Sequence, residues 1–230
     1  MRLIDEEYTR HPFYGTRKMV AYLKRLGFSI NRKRVQRYYE LLGLEAIYPK
    51  PNTSKPNKAH AVFPYLLRDV MIDRVDQVWS TDITYIRLQG GFVYLMAILD
   101  WFSRYVLGWK LSLSLEADFC IEGLKQVLIN GSCEIFNTDQ GAQFTTPQFT
   151  DILTKKNIRI SMDGKRRSLD NIFVERLWRT LKYELIYLYD YATVPDVEQA
   201  IGGYFHYYNY ERPHQSLRYQ TPASVYYARN

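Results

Sequence analysis

The sequence is poor in the features that mark several common protein classes. Its 230 residues contain two cysteines, Cys120 and Cys133. These have no CxxC spacing and no histidines nearby, so neither a zinc cage nor a disulfide framework is expected, only buried thiols in a reducing cytoplasm. No apolar run approaches the roughly 20 residues needed to cross a bilayer. The opening stretch, MRLIDEEYTRHPFYG, is too polar and charged for a secretory leader. No internal repeat is visible. A cleanly spaced Arg-His-Arg cluster with an attendant tyrosine is also missing, which argues against a tyrosine-nucleophile recombinase.

What is present is basic charge, unevenly placed. The chain carries a net charge of +7 with 47% hydrophobic residues, enough for one catalytic domain and a small companion. Residues 1–50 hold eleven Lys or Arg against five Asp or Glu, so most of the excess lies in the first fifth. Apolar spacing predicts three helices there. The first covers Leu3 to Thr9. The second, TRKMVAYLKRLGF (16–28), places Met19, Val20, Leu23 and Leu26 on one side and ends at Gly27. The third, SINRKRVQRYYELLGL (29–44), is capped by Ser29 or Asn31, buries Val35, Tyr38, Leu41 and Leu42, and stops at Gly43. About four residues separate the last two helices, which matches a helix-turn-helix. In that motif the start of the second helix enters the major groove, so Asn31, Arg32, Lys33, Arg34 and Arg37 are candidate DNA contacts. A helix-turn-helix domain is expected over 1–48, a linker rich in Pro, Asn, Lys and Ser over 49–68, and a second domain over 69–230.

The second domain reads as α/β. QVWSTDITYIRL (77–88) alternates, with Val78, Ser80, Asp82, Thr84 and Ile86 on one side. Gly90-Gly91 makes a hairpin turn, FVYLMAILDWF (92–102) is apolar on both faces, and a third strand (105–115) follows the Ser103-Arg104 corner. Next come a helix from Glu116 to Ile129, a short strand (133–136), a helix from Pro147 to Lys156 and a strand (158–162). Three meandering strands followed by strand–helix alternation predict a mixed sheet with helices on its faces.

Three carboxylates in this domain carry the chemistry. Asp82 is a charge inside a β-forming, aromatic-rich strand, where it needs a partner or a cation; alone, it could equally be an edge carboxylate in water. Asp139 ends the strand in FNTDQGAQF, where sheet proteins build their sites, although an Asp there often only bonds the turn that follows. The helix LDNIFVERLWRTLKYELIYLY (169–189) supplies the third. Its apolar stripe is Val174, Leu177, Trp178, Leu181, Leu185 and Leu188, and Asp170 or Ser168 can cap it. Beside the stripe runs a column of Asn171, Glu175, Arg179 and Lys182. An ordinary Glu175–Arg179 surface pair is the plainer reading of that column. Taken together, three carboxylates without histidine or cysteine suit Mg²⁺ or Mn²⁺, and two such ions can activate a hydroxyl and steady the leaving oxygen of a phosphodiester. Lys182 is placed to hold the substrate backbone.

WSTDITYI, LDWFSRYVLGW, FNTDQGAQF, DNIFVERLWRTLKYE and YNYERPHQSLRYQTPASVY together resemble the bacterial insertion-sequence transposases whose catalytic core is shared with retroviral integrases. Thirty-five residues separate Asp139 from Glu175, as in the D,D(35)E pattern of that family. The resemblance covers nearly the whole chain. It implies an RNase H-like core with strand cleavage and transfer at the element's ends. It also implies Asp82, Asp139 and Glu175 as metal ligands, with two ions per site when DNA is bound. Lys182, seven residues past the Glu, matches a basic DNA contact, and Asn171 matches the Asn four before it. Arg179 and Gln143 join them as candidate DNA contacts. The expected partners are the terminal repeats, target DNA and further copies of the chain in a synaptic complex. The start at Met1 suggests a downstream-frame product, which would have an upstream-frame partner, or a truncated copy. A bacterial cytoplasmic, nucleoid-associated location follows. A DNA-binding regulator without catalysis is the alternative. His206 and His214, among the many C-terminal tyrosines, are expected to be structural or near DNA, with the aromatics packing the last helix on the sheet.

Overall fold

A computed structural model describes residues 1–46, 62–164 and 171–228. Most of the expected linker, residues 49–61, lies outside these, as do Ser168 and Asp170. The chain divides into two compact units, Met1–Thr53 and Ser54–Asn230.

The first unit contains helices α1 (Arg2–Arg10), α2 (Thr16–Arg25) and α3 (Arg32–Leu42). Ile4, Met19, Leu23, Val35 and Tyr39 form its core. Leu26 and Leu41, expected inside, are exposed. The reason for the first is that α2 ends at Arg25, one residue before Leu26. Phe28 N–H then bonds back to Leu23 O at 3.0 Å with Gly27 in the left-handed region (φ 87°), so six residues separate α2 from α3. On α3, Tyr39 rather than Leu41 continues the stripe begun by Val35, one full turn on. Asn31 caps α3 by accepting from Arg34 N–H at 2.9 Å, and Gly43 closes it at φ 63°.

The second unit is a five-stranded sheet in the order β3-β2-β1-β4-β5. Its strands are β1 (Val78–Leu88), β2 (Gly91–Asp100), β3 (Val106–Ser112), β4 (Ile135–Thr138) and β5 (Arg159–Met162). The first three pair antiparallel, and β4 and β5 add in parallel to β1. This is the mixed sheet that the meander and the later alternation predict. Residues 63–67 run beside β5, where Leu66 N–H bonds Ser161 Oγ at 3.0 Å and Leu67 is buried.

One sheet face carries α4 (Asp118–Asn130) and α5 (Pro147–Lys155). They enclose Trp79, Met96, Ile98, Phe136 and both cysteines. The other face carries α6 (Ile172–Glu184) and α7 (Val194–Tyr210), followed by the short α8 (Pro222–Tyr227). Here Ile86, Val93, Leu95, Ala97 and Leu99 meet Val174, Leu177, Trp178 and Leu181 of α6 and Ile201, Tyr204, Phe205 and Tyr208 of α7. The two-residue alternation of β1 and β2 produces these two faces. Leu188 does not continue the α6 stripe. The helix stops at Glu184, a 3₁₀ turn (Ile186–Leu188) follows, and Ile186 is buried in place of Leu188. The C-terminal aromatics pack α7 against the sheet, as expected.

Candidate active site

Register brings the first two carboxylates together. In the parallel β1–β4 pair, Val78 lies opposite Ile135 and Ser80 opposite Asn137. Two residues further on come Asp82 in β1 and Asp139 just past β4, and the charge of Asp139 is felt at Asp82. Asp139 sits just beyond the end of β4, and its turn is tied down from β5. Asp163 N–H bonds Thr138 O at 2.9 Å, and Gln140 Nε2 donates to Asp163 O at 2.8 Å. Asp139 Oδ1 accepts from Gly141 N–H at 2.8 Å. Turn chemistry is therefore real at Asp139, but it occupies one oxygen and leaves Oδ2 to other work.

The third element is α6. Its apolar stripe on the sheet sets Glu175, next to Val174, on the exposed side. Trp178, a member of that stripe, donates from Nε1 to Asp82 Oδ2 at 3.0 Å. A buried indole N–H needs an acceptor, and here it finds the strand carboxylate. The stripe marks this residue as packing only, so its role at Asp82 carries no signal in the sequence.

Electrostatics links the groups. Burial, then the charge of Asp139 and more weakly that of Glu175, hold the Asp82 carboxyl up at about 6, against the pull of the Trp178 hydrogen bond. Burial also raises Asp139, opposed by the Gly141 N–H. Asp139 still keeps solvent-exposed surface. Burial pushes the Cys120 thiol up to about 12, with Asp139 and Asp82 adding to it; it is an inert thiol near the carboxylates. Lys182 is partly buried, with Nζ 5.0 Å from the Tyr85 ring centroid. Desolvation lowers its pKa, and nearby Asp82 works against that shift.

The remaining candidates fall in varied places. Asn171 is buried, and its Nδ2 donates to Thr81 O at 3.3 Å, joining the start of α6 to the residue before Asp82. Arg179 is exposed, its guanidinium 6.0 Å from the Tyr183 ring, and forms no ion pair with Glu175 among the described residues. The plain surface pair is thus absent. Gln143 donates from Nε2 to Leu115 O at 2.7 Å and so fastens the loop after Asp139. In the first unit, Arg32, Lys33, Arg34 and Arg37 are all exposed. Arg32 Nε reaches Thr16 Oγ1 at 3.3 Å, and Arg34 Nε reaches Tyr38 OH at 2.9 Å.

The second unit is thus of the integrase-core class, a mixed sheet flanked by helices. Integrase core domain families match residues 73–168 and 156–222, and an HTH-like domain family matches residues 1–52. The transposase for insertion sequence element IS629 of Shigella sonnei is 30% identical, covering 99% of this chain and 78% of its own. The transposase for IS904 of Lactococcus lactis is also 30% identical, covering 91% and 85%. Among solved structures, a catalytic core of HTLV-2 integrase with magnesium superposes on 67% of the chain and 98% of its own, with a TM-score of 0.55 and 20% identity. A simian T-cell lymphotropic virus intasome chain covers 99% of this chain and 75% of its own, with a TM-score of 0.62 and 16% identity. The chain belongs to the insertion-sequence transposases with an integrase core, and its function is that of a DNA transposase. Among the described residues, no helix is long and apolar enough to cross a membrane.

Proposed function

We propose that Asp82, Asp139 and Glu175 are the catalytic metal ligands of a polynucleotidyl transferase that cleaves insertion-sequence ends and joins them to target DNA. The observation that carries this reading is the parallel β1–β4 pairing, which ends two residues short of Asp82 and Asp139, with the charges of both Asp139 and Glu175 felt at Asp82. The donor set is all carboxylate oxygen, suited to Mg²⁺ or Mn²⁺. Two crowded, partly desolvated carboxylates held above their usual range favour a cation between them. When bound, two such ions supply Lewis acidity to the attacking and leaving oxygens of a phosphodiester. Among the described residues no three ligand side chains already form a metal cage. Glu175, on the exposed side of α6, is the one that turns inward. Trp178 holds Asp82 in place and Gly141 N–H holds Asp139.

Lys182, close enough to feel Asp82, steadies the scissile strand, and Arg179 extends that cationic edge. Asn171 acts by pinning α6 to β1, and Gln143 by fixing the loop beside Asp139; both lie where DNA would pass. In the first unit Asn31, Arg32, Lys33, Arg34 and Arg37 present the basic start of α3 to the major groove of the terminal repeats. Assembly is by homo-oligomerisation in a synaptic complex at the nucleoid, with an upstream-frame protein as a further partner.

The test is cleavage and joining on a labelled fragment carrying the element's end, with Mg²⁺, Mn²⁺ or EDTA, for wild type and Glu175→Gln. Metal-dependent cutting that vanishes in the variant supports the assignment. Equal cutting by both overturns it, and end binding without cutting by the wild type favours the regulator alternative.

A further inference from the structure

A cavity of about 360 Å³ lies in the second unit between the β2–β3 corner, the start of α6 and the loop before α8. Trp101, Arg104, Phe173, Ser216, Arg218 and Gln220 are among its walls, and among the described residues no carboxylate lines it. Among the described residues, two buried donor atoms of this wall have no hydrogen-bond partner, Trp101 Nε1 and Arg104 Nη1. Trp101 is only 6% exposed, so its N–H is shut away from bulk water. A buried donor left unmade costs about 1–3 kcal/mol, more when charged, so both of these wall residues gain if an acceptor reaches them from the cavity.

The corner is built to hold Arg104 there. Asp100 is fully buried and accepts from Ser103 N–H (2.7 Å), Ser103 Oγ (2.6 Å) and Asp76 N–H (2.8 Å). Its carboxylate is therefore engaged and not paired with Arg104. Arg104 adopts φ 64°, a region disfavoured for a side chain of this kind, and its guanidinium sits 3.6 Å over the Phe173 ring. Arg218, another lining residue, also has positive φ, 55°. Burial pulls the Arg104 pKa down to about 10; Tyr208 and Asp100 oppose the shift, and Arg176 adds to it. Among the described residues no ion pair to Arg104 forms, so its buried guanidinium is not neutralised by direct contact.

This place is apart from the carboxylate site. Phe173 and Glu175 are two residues apart on α6, so they point about 160° from one another.

We propose that this cavity is an anion site that receives a backbone phosphate of bound DNA. Guanidinium groups and an indole N–H are donors only, matched to oxyanions. Phosphate is favoured because the chain acts on DNA, the reading on which this inference rests. The apolar walls and the volume beyond one phosphate accept the adjoining sugar. The site adds a fixed point on the far side of α6, so the strand is held on both sides of the catalytic helix.

The experiment uses the full chain in EDTA, where binding is read without catalysis. DNA affinity is measured against salt for wild type, Arg218→Gln and Arg104→Gln, and the Trp101 indole N–H is followed by NMR, assigned with Trp101→Phe. Loss of one phosphate contact lowers the salt slope by about 0.9 and weakens binding by several-fold regardless of sequence. The expected result is that slope change in Arg218→Gln, with a shift of the Trp101 N–H on adding DNA or inorganic phosphate. Should Arg104→Gln fold poorly, Arg218 and Trp101 still decide the matter. Unchanged slopes with a still Trp101 resonance overturn the proposal. So does a response to inorganic phosphate but not to DNA, or to a carboxylate peptide but not to either phosphate. If the wild type binds no DNA at all, the transposase reading fails instead.

Discussion

An Asp82→Asn chain keeps the shape of the side chain and an oxygen that can still accept the Trp178 N–H, while the charge is gone. In the wild type Asp82 titrates near 6 instead of the usual 3.8, through burial and then Asp139. The sign follows from proton binding. The unfolded carboxyl loses its proton first, so stability is unpenalised below about pH 4, falls as pH rises, and carries the full penalty above about pH 6. A shift of this size corresponds to about 3 kcal/mol at 1.36 kcal/mol per unit. Since Asp82 is partly solvated, about 1–3 kcal/mol is the range to expect. At pH 8 without metal, the asparagine chain is therefore expected to melt higher, by roughly 2–4 °C for each kcal/mol gained. Added Mg²⁺ should raise the melting point of the wild type and raise that of the variant much less, since binding to the folded state alone stabilises by mass action. Cleavage should be lost in the variant. Thermal denaturation across pH 4–8 with and without Mg²⁺ checks all of this. A variant no more stable than wild type at pH 8, or an equal Mg²⁺ increment in both, would refute the reasoning.

Other consequences are equally concrete. Trp178→Phe deletes the bond to Asp82 Oδ2; with a charged acceptor it should destabilise by about 1.5–3 kcal/mol, and a double-mutant cycle with Asp82→Asn should show coupling near 1 kcal/mol, read by denaturant unfolding. Asn31→Ala removes the cap of α3 and should cost about 1 kcal/mol, with hydrogen exchange quickening in α3 and end binding weakening while metal binding stays unchanged. His214, half-buried beside Arg212 and near Arg104, is held neutral with its pKa down at about 4, desolvation being the larger cause. It therefore supports stability fully above pH 6.5 and loses that support as pH falls toward 4, on the order of 2 kcal/mol; His214→Gln should flatten that limb of the stability–pH curve.

The fold was legible where period and chemistry agreed. The alternation of β1, the all-apolar β2 and the short strands between helices each state their own burial, and the mixed sheet follows. Boundaries failed where a local bond outcompeted the apolar pattern. Leu26 looked like the next member of a stripe, but the Gly27 turn ended α2 at Arg25 and left it outside. Leu188 continued a helical count that ended at Glu184, whose carboxylate is held by Arg212 at 2.7 Å and by Tyr204 at 2.9 Å. Those partners lie 28 and 20 residues downstream, beyond the reach of any window along α6.

The site divides in the same way. Asp82 stood out as a charge in a strand, whereas Asp139 and Glu175 each had a plainer local reading and could be picked out only as a set, by their shared chemistry and the 35-residue spacing of the resemblance. What shapes them is long-range and silent in the sequence. Trp178 reads as core because an indole on an apolar stripe usually is core; only the fold shows that its N–H meets Asp82, 96 residues earlier. Asn171 reads as a polar residue on a DNA-facing column, yet its amide is buried against Thr81 O, 90 residues away. A mutation at Asn171 should then perturb the setting of Glu175 relative to Asp82 as well as any contact with DNA. Asn171→Ala separates the two effects: a loss in turnover on a short substrate, with end affinity retained, marks the positioning role. An equal loss in affinity and turnover would instead make Asn171 a contact of the DNA itself.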